Sequence, residues 1–171
     1  INFLILLGIL TYLYTNMSND DGYVEAISKA SPSVINISSV KNIEARLFDR
    51  SLENIVVGSG IIISNDGYII TNMHVIEGNR LINVELDDGQ VYTASIIGFD
   101  ERSDLAVIKI LPSEPLTPIE VSNSSSVQIG DQVIAIGNAF GLGKTFTSGI
   151  ISATGRDYGT VSYTHLRAHE T

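Results

Sequence analysis

Two side chains of the 171-residue chain have the type and setting for proton-transfer chemistry. His74 stands in Thr71-Asn72-Met73-His74-Val75-Ile76, directly after the apolar run Gly67-Tyr68-Ile69-Ile70. A neutral imidazole at the end of a strand can take a proton from a nucleophile and return it to a leaving group. Asp104 opens a second apolar run, Leu105-Ala106-Val107-Ile108-Lys109-Ile110. A carboxylate there can hold the tautomer of an imidazole and stabilise its cation. His followed by Asp is a chain order that a later serine completes into a nucleophile, base and acid. The remaining histidines, His165 and His169, have a spacing that could bind zinc on a helix. No His-Glu-x-x-His signature accompanies them and no third ligand is evident, so no metal site is expected. With no cysteine in the chain, a thiolate nucleophile and a disulfide framework are excluded.

To bring His74 and Asp104 together, the chain must set the ends of two strands side by side. The pattern predicts such strands. A short helix is expected over Tyr23 to Ala30, stopped by Ser31-Pro32, since the residue before proline disfavours helix. Val34 to Val40 alternates as a strand does, and Lys41 to Asn54 reads as a surface loop or ragged hairpin. Ile55 to Ile63 is a strand expected to break at Gly58-Ser59-Gly60. Asn65-Asp66-Gly67 is a hairpin signal, and Gly67 to Thr71 is the return strand. Leu81 to Leu86, Val91 to Ile97 and Leu105 to Ile110 follow, the first two joined by the turn Asp87-Asp88-Gly89. Pro112, Pro115 and Pro118 punctuate a connection that reads as a boundary between sub-domains. Beyond it come Gln132 to Ile136, the glycine-rich stretch Gly137 to Gly143, and a strand over Thr145 to Ala153 broken at Gly149. Many short strands with hairpin turns and little helix predict an all-β barrel or sandwich.

A formal net charge of −9 argues against nucleic acid as a partner, because phosphate binding needs a basic face. An apolar share of 44% is that of a globular chain. Residues 1–14 are almost wholly apolar, shorter than the roughly 20 residues of a spanning helix, and are read as the C-terminal part of a signal anchor or signal peptide. Residues 15–22 read as a linker. Residues 161–171 follow neither strand nor helix patterning and read as a foreign or frameshifted end.

Several stretches together resemble the HtrA/Deg family of trypsin-like serine proteases. They are Gly58-Ser-Gly-Ile-Ile-Ile-Ser, Gly67-Tyr-Ile-Ile-Thr-Asn-Met-His-Val-Ile, Ser103-Asp-Leu-Ala-Val-Ile-Lys-Ile, Ile136-Gly-Asn-Ala-Phe-Gly-Leu-Gly and Thr147-Ser-Gly-Ile-Ile-Ser-Ala-Thr-Gly-Arg. The likeness runs from about Tyr23 to about Arg156, and the apolar start is most similar to the membrane-anchored branch. It implies a chymotrypsin-like double β-barrel, with a first barrel over 23–116 and the start of a second, incomplete one over 117–160. It implies that His74 is the general base and Asp104 the orienting acid. Asp100 is the nearby competitor, but the family places its acid immediately before Leu-Ala-Val. The resemblance further implies an endopeptidase of the cell envelope, anchored in the inner membrane and facing the periplasm. Its substrates would be unfolded or misfolded proteins in quality control and stress response. No cofactor is implied; trimers and control by PDZ domains are usual in the family.

The sequence departs from that pattern at Met73, where a second Asn is usual, and at Ala139, where Pro is usual. The larger departure is that no Gly-Asn-Ser-Gly-Gly motif occurs, so the nucleophilic serine and its oxyanion hole are not in this sequence. Ser59 and Ser148 lie in elements that match structural strands and are poor substitutes. The Gly137 to Gly143 stretch lacks the spacing and ending of a phosphate-binding loop. The expectation is therefore a protease by family whose given sequence carries two of three triad residues. The alternative is a non-catalytic, membrane-tethered binding module derived from a protease.

Overall fold

The computed structural model describes residues 21–42, 53–78, 81–138 and 143–154. The apolar start, most of the linker, the glycine-rich stretch from 139 to 142 and the atypical end lie outside them. Among the described residues no helix is long and apolar enough to cross a membrane.

Helix α1 (Asp21–Ala30) carries Tyr23, Ala26, Ile27 and Ala30 at the spacing that makes one helical stripe. Ala26 and Ala30 are buried against Val34 and against Ile134 and Ile136 of a later strand. A 3₁₀ turn at Ser31–Ser33 holds Pro32 and hands the chain to β1 (Val34–Asn42). Strands β2 (Glu53–Ile62), β3 (Tyr68–Asn72), β4 (Leu81–Glu85), β5 (Val91–Thr93), β6 (Ser95–Asp100) and β7 (Leu105–Lys109) complete a seven-stranded antiparallel sheet. The four-residue helix α2 (Met73–Ile76) interrupts it between β3 and β4. Strands β8 (Gln132–Gly137) and β9 (Thr145–Ile150) pair in a second, two-stranded sheet.

The order of the large sheet is β5-β4-β1-β2-β3-β7-β6. Its two edge strands, β5 and β6, are consecutive in the chain and separated by Ala94 alone. The sheet must therefore curl until its edges approach, and the Ala94 N–H donates to Ile82 O at 2.8 Å on the way round. A bulge at Ile97, between the pairs Ile96–Ile108 and Gly98–Val107, adds local twist in the last edge. Inward-facing isoleucines fill the curl: Ile35 and Ile37 of β1, Ile62 of β2, Ile69 of β3 and Ile108 of β7 are almost fully buried. Valine and isoleucine suit this pleated, enclosed surface because their branched Cβ packs on neighbouring strands. The fold is mostly β and of the chymotrypsin-like class expected from the sequence.

Some local expectations are corrected. The run read as one strand from Val91 to Ile97 bends at Ala94 into two. The strand through Gly58-Ser59-Gly60 is unbroken, with Ile37 opposite Gly58 and Ile35 opposite Gly60. These glycines serve close packing instead. A Cβ on Gly58 would lie 2.6 Å from Cγ2 of Val75, and one on Gly60 would lie 2.7 Å from Cδ1 of Ile37. Gly149 likewise stays in register, opposite Val133.

Gly58 thus sets the seat of α2, because the Val75 side chain rests on its bare Cα. Gly58→Ala is expected to force Val75 outward and to lower stability by about 1–3 kcal/mol, the usual cost of overpacking. The midpoint of urea unfolding checks it; an unchanged midpoint contradicts the close packing.

Candidate functional site

His74 and Asp104 are 30 positions apart in the chain and in contact in the fold. The reason is strand register. β3 pairs antiparallel with β7, and Asn72, the last residue of β3, lies opposite Leu105, the first of β7. The exit of one strand is therefore beside the entry of the other. Asp104 has φ 54°, the left-handed region that Asp tolerates better than most side chains, and so turns its carboxylate back toward β3.

Three consecutive residues then hold Asp104. The Met73 N–H donates to its carbonyl at 3.0 Å, and the Asn72 Nδ2 amide donates to the same carbonyl at 3.1 Å and to Oδ2 at 3.3 Å. The His74 N–H donates to Oδ1 at 3.0 Å. The His74 ring closes the set, with Nδ1 2.6 Å from Oδ2. A carboxylate that accepts at Nδ1 fixes the tautomer with the proton on that nitrogen and leaves Nε2 with its lone pair. The His74 side chain is 44% exposed and that of Asp104 29%, so the imidazole is the member presented to a reactant.

The helical turn carrying His74 is seated from the other side. Ser39, fully buried on β1, donates from Oγ to Val75 O at 2.6 Å. The Glu77 N–H donates to Met73 O at 2.9 Å and closes α2. One residue before Asn72, the buried Thr71 donates from Oγ1 to Ser59 O at 2.8 Å. Ser59 in turn accepts the Asn138 N–H on Oγ at 2.7 Å, and Asn138 Oδ1 accepts the Gly143 N–H at 3.0 Å. Ser59 is thus a junction between the two sheets. Ser148 lies on β9, facing Ile134 of β8.

Asp100, the competing carboxylate, is engaged elsewhere. It ends β6, where its Oδ2 accepts the Ser103 hydroxyl at 2.7 Å and its Oδ1 the Arg102 N–H at 3.1 Å. It closes the turn from which Asp104 emerges. The contribution of Asn72 had no signal in the sequence beyond its position two residues before His74. Among the described residues no cluster of His, Asp and Glu could hold a metal ion.

The fold is that of trypsin-like serine peptidases. Residues 58–170 match the trypsin-like peptidase domain, and the chain belongs to that family. Within it, the chain is of HtrA/Deg type. It is 48% identical over 101 residues to the periplasmic serine endoprotease DegP of Escherichia coli, covering 58% of this chain and 21% of that protein. A probable DegP-like periplasmic serine endoprotease of Chlamydia trachomatis is 55% identical over 102 residues, covering 60% and 20%. The HtrA-type protease AlgW, solved with a tripeptide, superposes with a TM-score of 0.69 at 40% identity, covering 81% of this chain and 42% of that one. The chain spans about a fifth of the length of the curated relatives it matches.

The hydroxyl of Ser103, followed by the Arg102 N–H, holds the Asp100 carboxyl below its ordinary value of 3.8. Because the folded value is depressed, the contribution is present above the unfolded value and lost as pH falls through the folded one. Ser103→Ala is expected to raise the Asp100 midpoint toward the ordinary value. A carbon-13 titration of the side-chain carboxyls reads it, and an unmoved midpoint contradicts the assigned cause.

Proposed function

We propose that His74 and Asp104 are the base and the orienting acid of a serine endopeptidase that acts outside the cytoplasm. The observation that carries this reading is the 2.6 Å contact of His74 Nδ1 with Asp104 Oδ2, at the meeting of β3 and β7. Nε2 of His74 takes the proton of a serine hydroxyl as its oxygen attacks a peptide carbonyl. The imidazolium formed is stabilised by Asp104, and the proton passes to the leaving amine. In this reading the serine stands in a Gly-Asn-Ser-Gly-Gly motif, which does not occur among these 171 residues. A non-catalytic binding module has no need of the pair.

The names of the relatives support a periplasmic setting. In this reading residues 1–14 tether the protein to the inner membrane, 23–116 form the first barrel and 117–160 begin the second. The substrates are unfolded or misfolded proteins, and the protein assembles as a homotrimer.

The test joins residues 23–156 to the C-terminal part of AlgW. The chimera is expected to react with a serine-directed fluorophosphonate and to cleave unfolded casein. In the folded chimera, His74→Ala is expected to lower kcat/KM by about 10³-fold or more. The 171-residue chain alone is expected not to react. A folded chimera equally active with Ala at position 74, or labelling of the chain alone, overturns the reading.

A further inference from the structure

Sulfur is scarce in this chain. It has no cysteine and two methionines, Met17 and Met73. A mild two-electron oxidant therefore meets only these two soft centres. One of them directly precedes His74.

Met73 is placed so that its side chain bears on the site. Its backbone is tied at both ends of the peptide: the N–H donates to Asp104 O at 3.0 Å, and the carbonyl accepts the Glu77 N–H at 2.9 Å. Its side chain is partly buried and packs against the isoleucine and valine core inside the curled sheet. The residue thus lies at the border of core and solvent, partly exposed yet packed against the core that also holds Val75 and Ile76 of α2. Its neighbours along α2, Val75 and Ile76, are buried in the same core.

We propose that Met73 is an oxidation site that uncouples His74 from Asp104. A lone pair on Sδ attacks one oxygen of hydrogen peroxide. The S–O bond forms, the O–O bond breaks, sulfur loses two electrons, and the peroxide is reduced to water. The product is a methionine sulfoxide, polar where a flexible apolar group was packed. A sulfoxide oxygen seated on an apolar cluster is desolvated without a partner, so the side chain leaves the core for water. The Met73 backbone cannot follow without disturbing its bond to Asp104 O, and the His74 N–H and ring are the next contacts to the same residue. A reductase that returns the sulfoxide to the thioether would restore the seat. The functional consequence rests on the pairing of His74 with Asp104 described above; the chemistry at sulfur does not.

The experiment uses the 171-residue chain labelled with nitrogen-15 histidine and treated with hydrogen peroxide. Peptide mass mapping follows the oxygen added at Met17 and at Met73. Imidazole NMR follows the hydrogen-bonded Nδ1–H of His74, assigned by its loss in His74→Gln. The expected result is loss of that resonance in proportion to Met73 sulfoxide, with unchanged far-ultraviolet circular dichroism. It returns after treatment with methionine sulfoxide reductases. Met17→Leu responds like the parent, whereas Met73→Leu keeps the resonance at every dose. Three results overturn the proposal: Met73 fully oxidised with the resonance intact, Met73 resistant while Met17 is consumed, or equal loss in Met73→Leu. A resonance missing before any peroxide is added overturns the His74–Asp104 pairing itself, and is thereby distinguished from failure of the switch.

Discussion

The structure depends on one register. Because Asn72 faces Leu105 across the β3–β7 ladder, the residues just past one strand and just before the other are brought to the same point. A slip of one residue would turn Ile69 and Thr71 of β3 outward and carry His74 away from Asp104 together. Core packing and site geometry are therefore set by the same pairing. Ile69 opposite Ile108 and Thr71 opposite Ala106 hold it from within, since all four side chains are buried. The acid is held by backbone and side-chain donors from Asn72 to His74, in addition to the contact with the imidazole.

Around that point the sheet leaves little freedom. Val75 is seated on Gly58, its carbonyl accepts from Ser39, and Ile76 enters the core beside Ile35 and Ile37. A buried hydroxyl in an apolar core is costly without a partner. Ser39 offsets that cost by donating to the carbonyl of Val75, the residue after His74. The curl that makes the core also follows from connectivity, because β5 and β6 are joined through Ala94 and yet occupy opposite edges. The same short connection explains why the stretch after Val91 cannot be one straight strand.

The elements and the two candidate residues, His74 and Asp104, could be read because their signals are local. Alternation of isoleucine and valine marks a strand whatever it pairs with, and His74 and Asp104 stand at the ends of such runs. The choice of Asp104 over Asp100 came from family resemblance; the geometry now gives it a physical counterpart, since Asp100 is occupied by Ser103 and Arg102. What was not legible depends on contacts between distant segments. Gly58 and Gly60 suggested a break, because nothing in the sequence says that Val75 and Ile37 will lie against them. Asn72 reads as an ordinary polar residue until β7 brings Asp104 alongside. The four residues of α2 are too few to show helical periodicity, and their turn is imposed by packing.

The second sheet is referenced to the site through Ser59. Ser59 O accepts the Thr71 hydroxyl from the strand that leads to His74, and Ser59 Oγ accepts the Asn138 N–H at the end of β8. Gly137 lies so close that a Cβ there would be 3.3 Å from the same Oγ. Ile134 and Ile136 supply apolar contact with α1 and Val34, but such contact is non-directional and does not fix an orientation. Hydrogen bonds with defined geometry do. A second anchor acts in the same sense: Lys144, at the head of β9, donates to Ser31 O at 2.7 Å and pairs with Asp87 of the β4–β5 turn. The two sheets are thus joined by polar contacts at both ends of the glycine-rich stretch. A residue on β8 or β9 that had to face His74 would find its place set by Ser59 and Lys144, with the isoleucine contacts supplying cohesion.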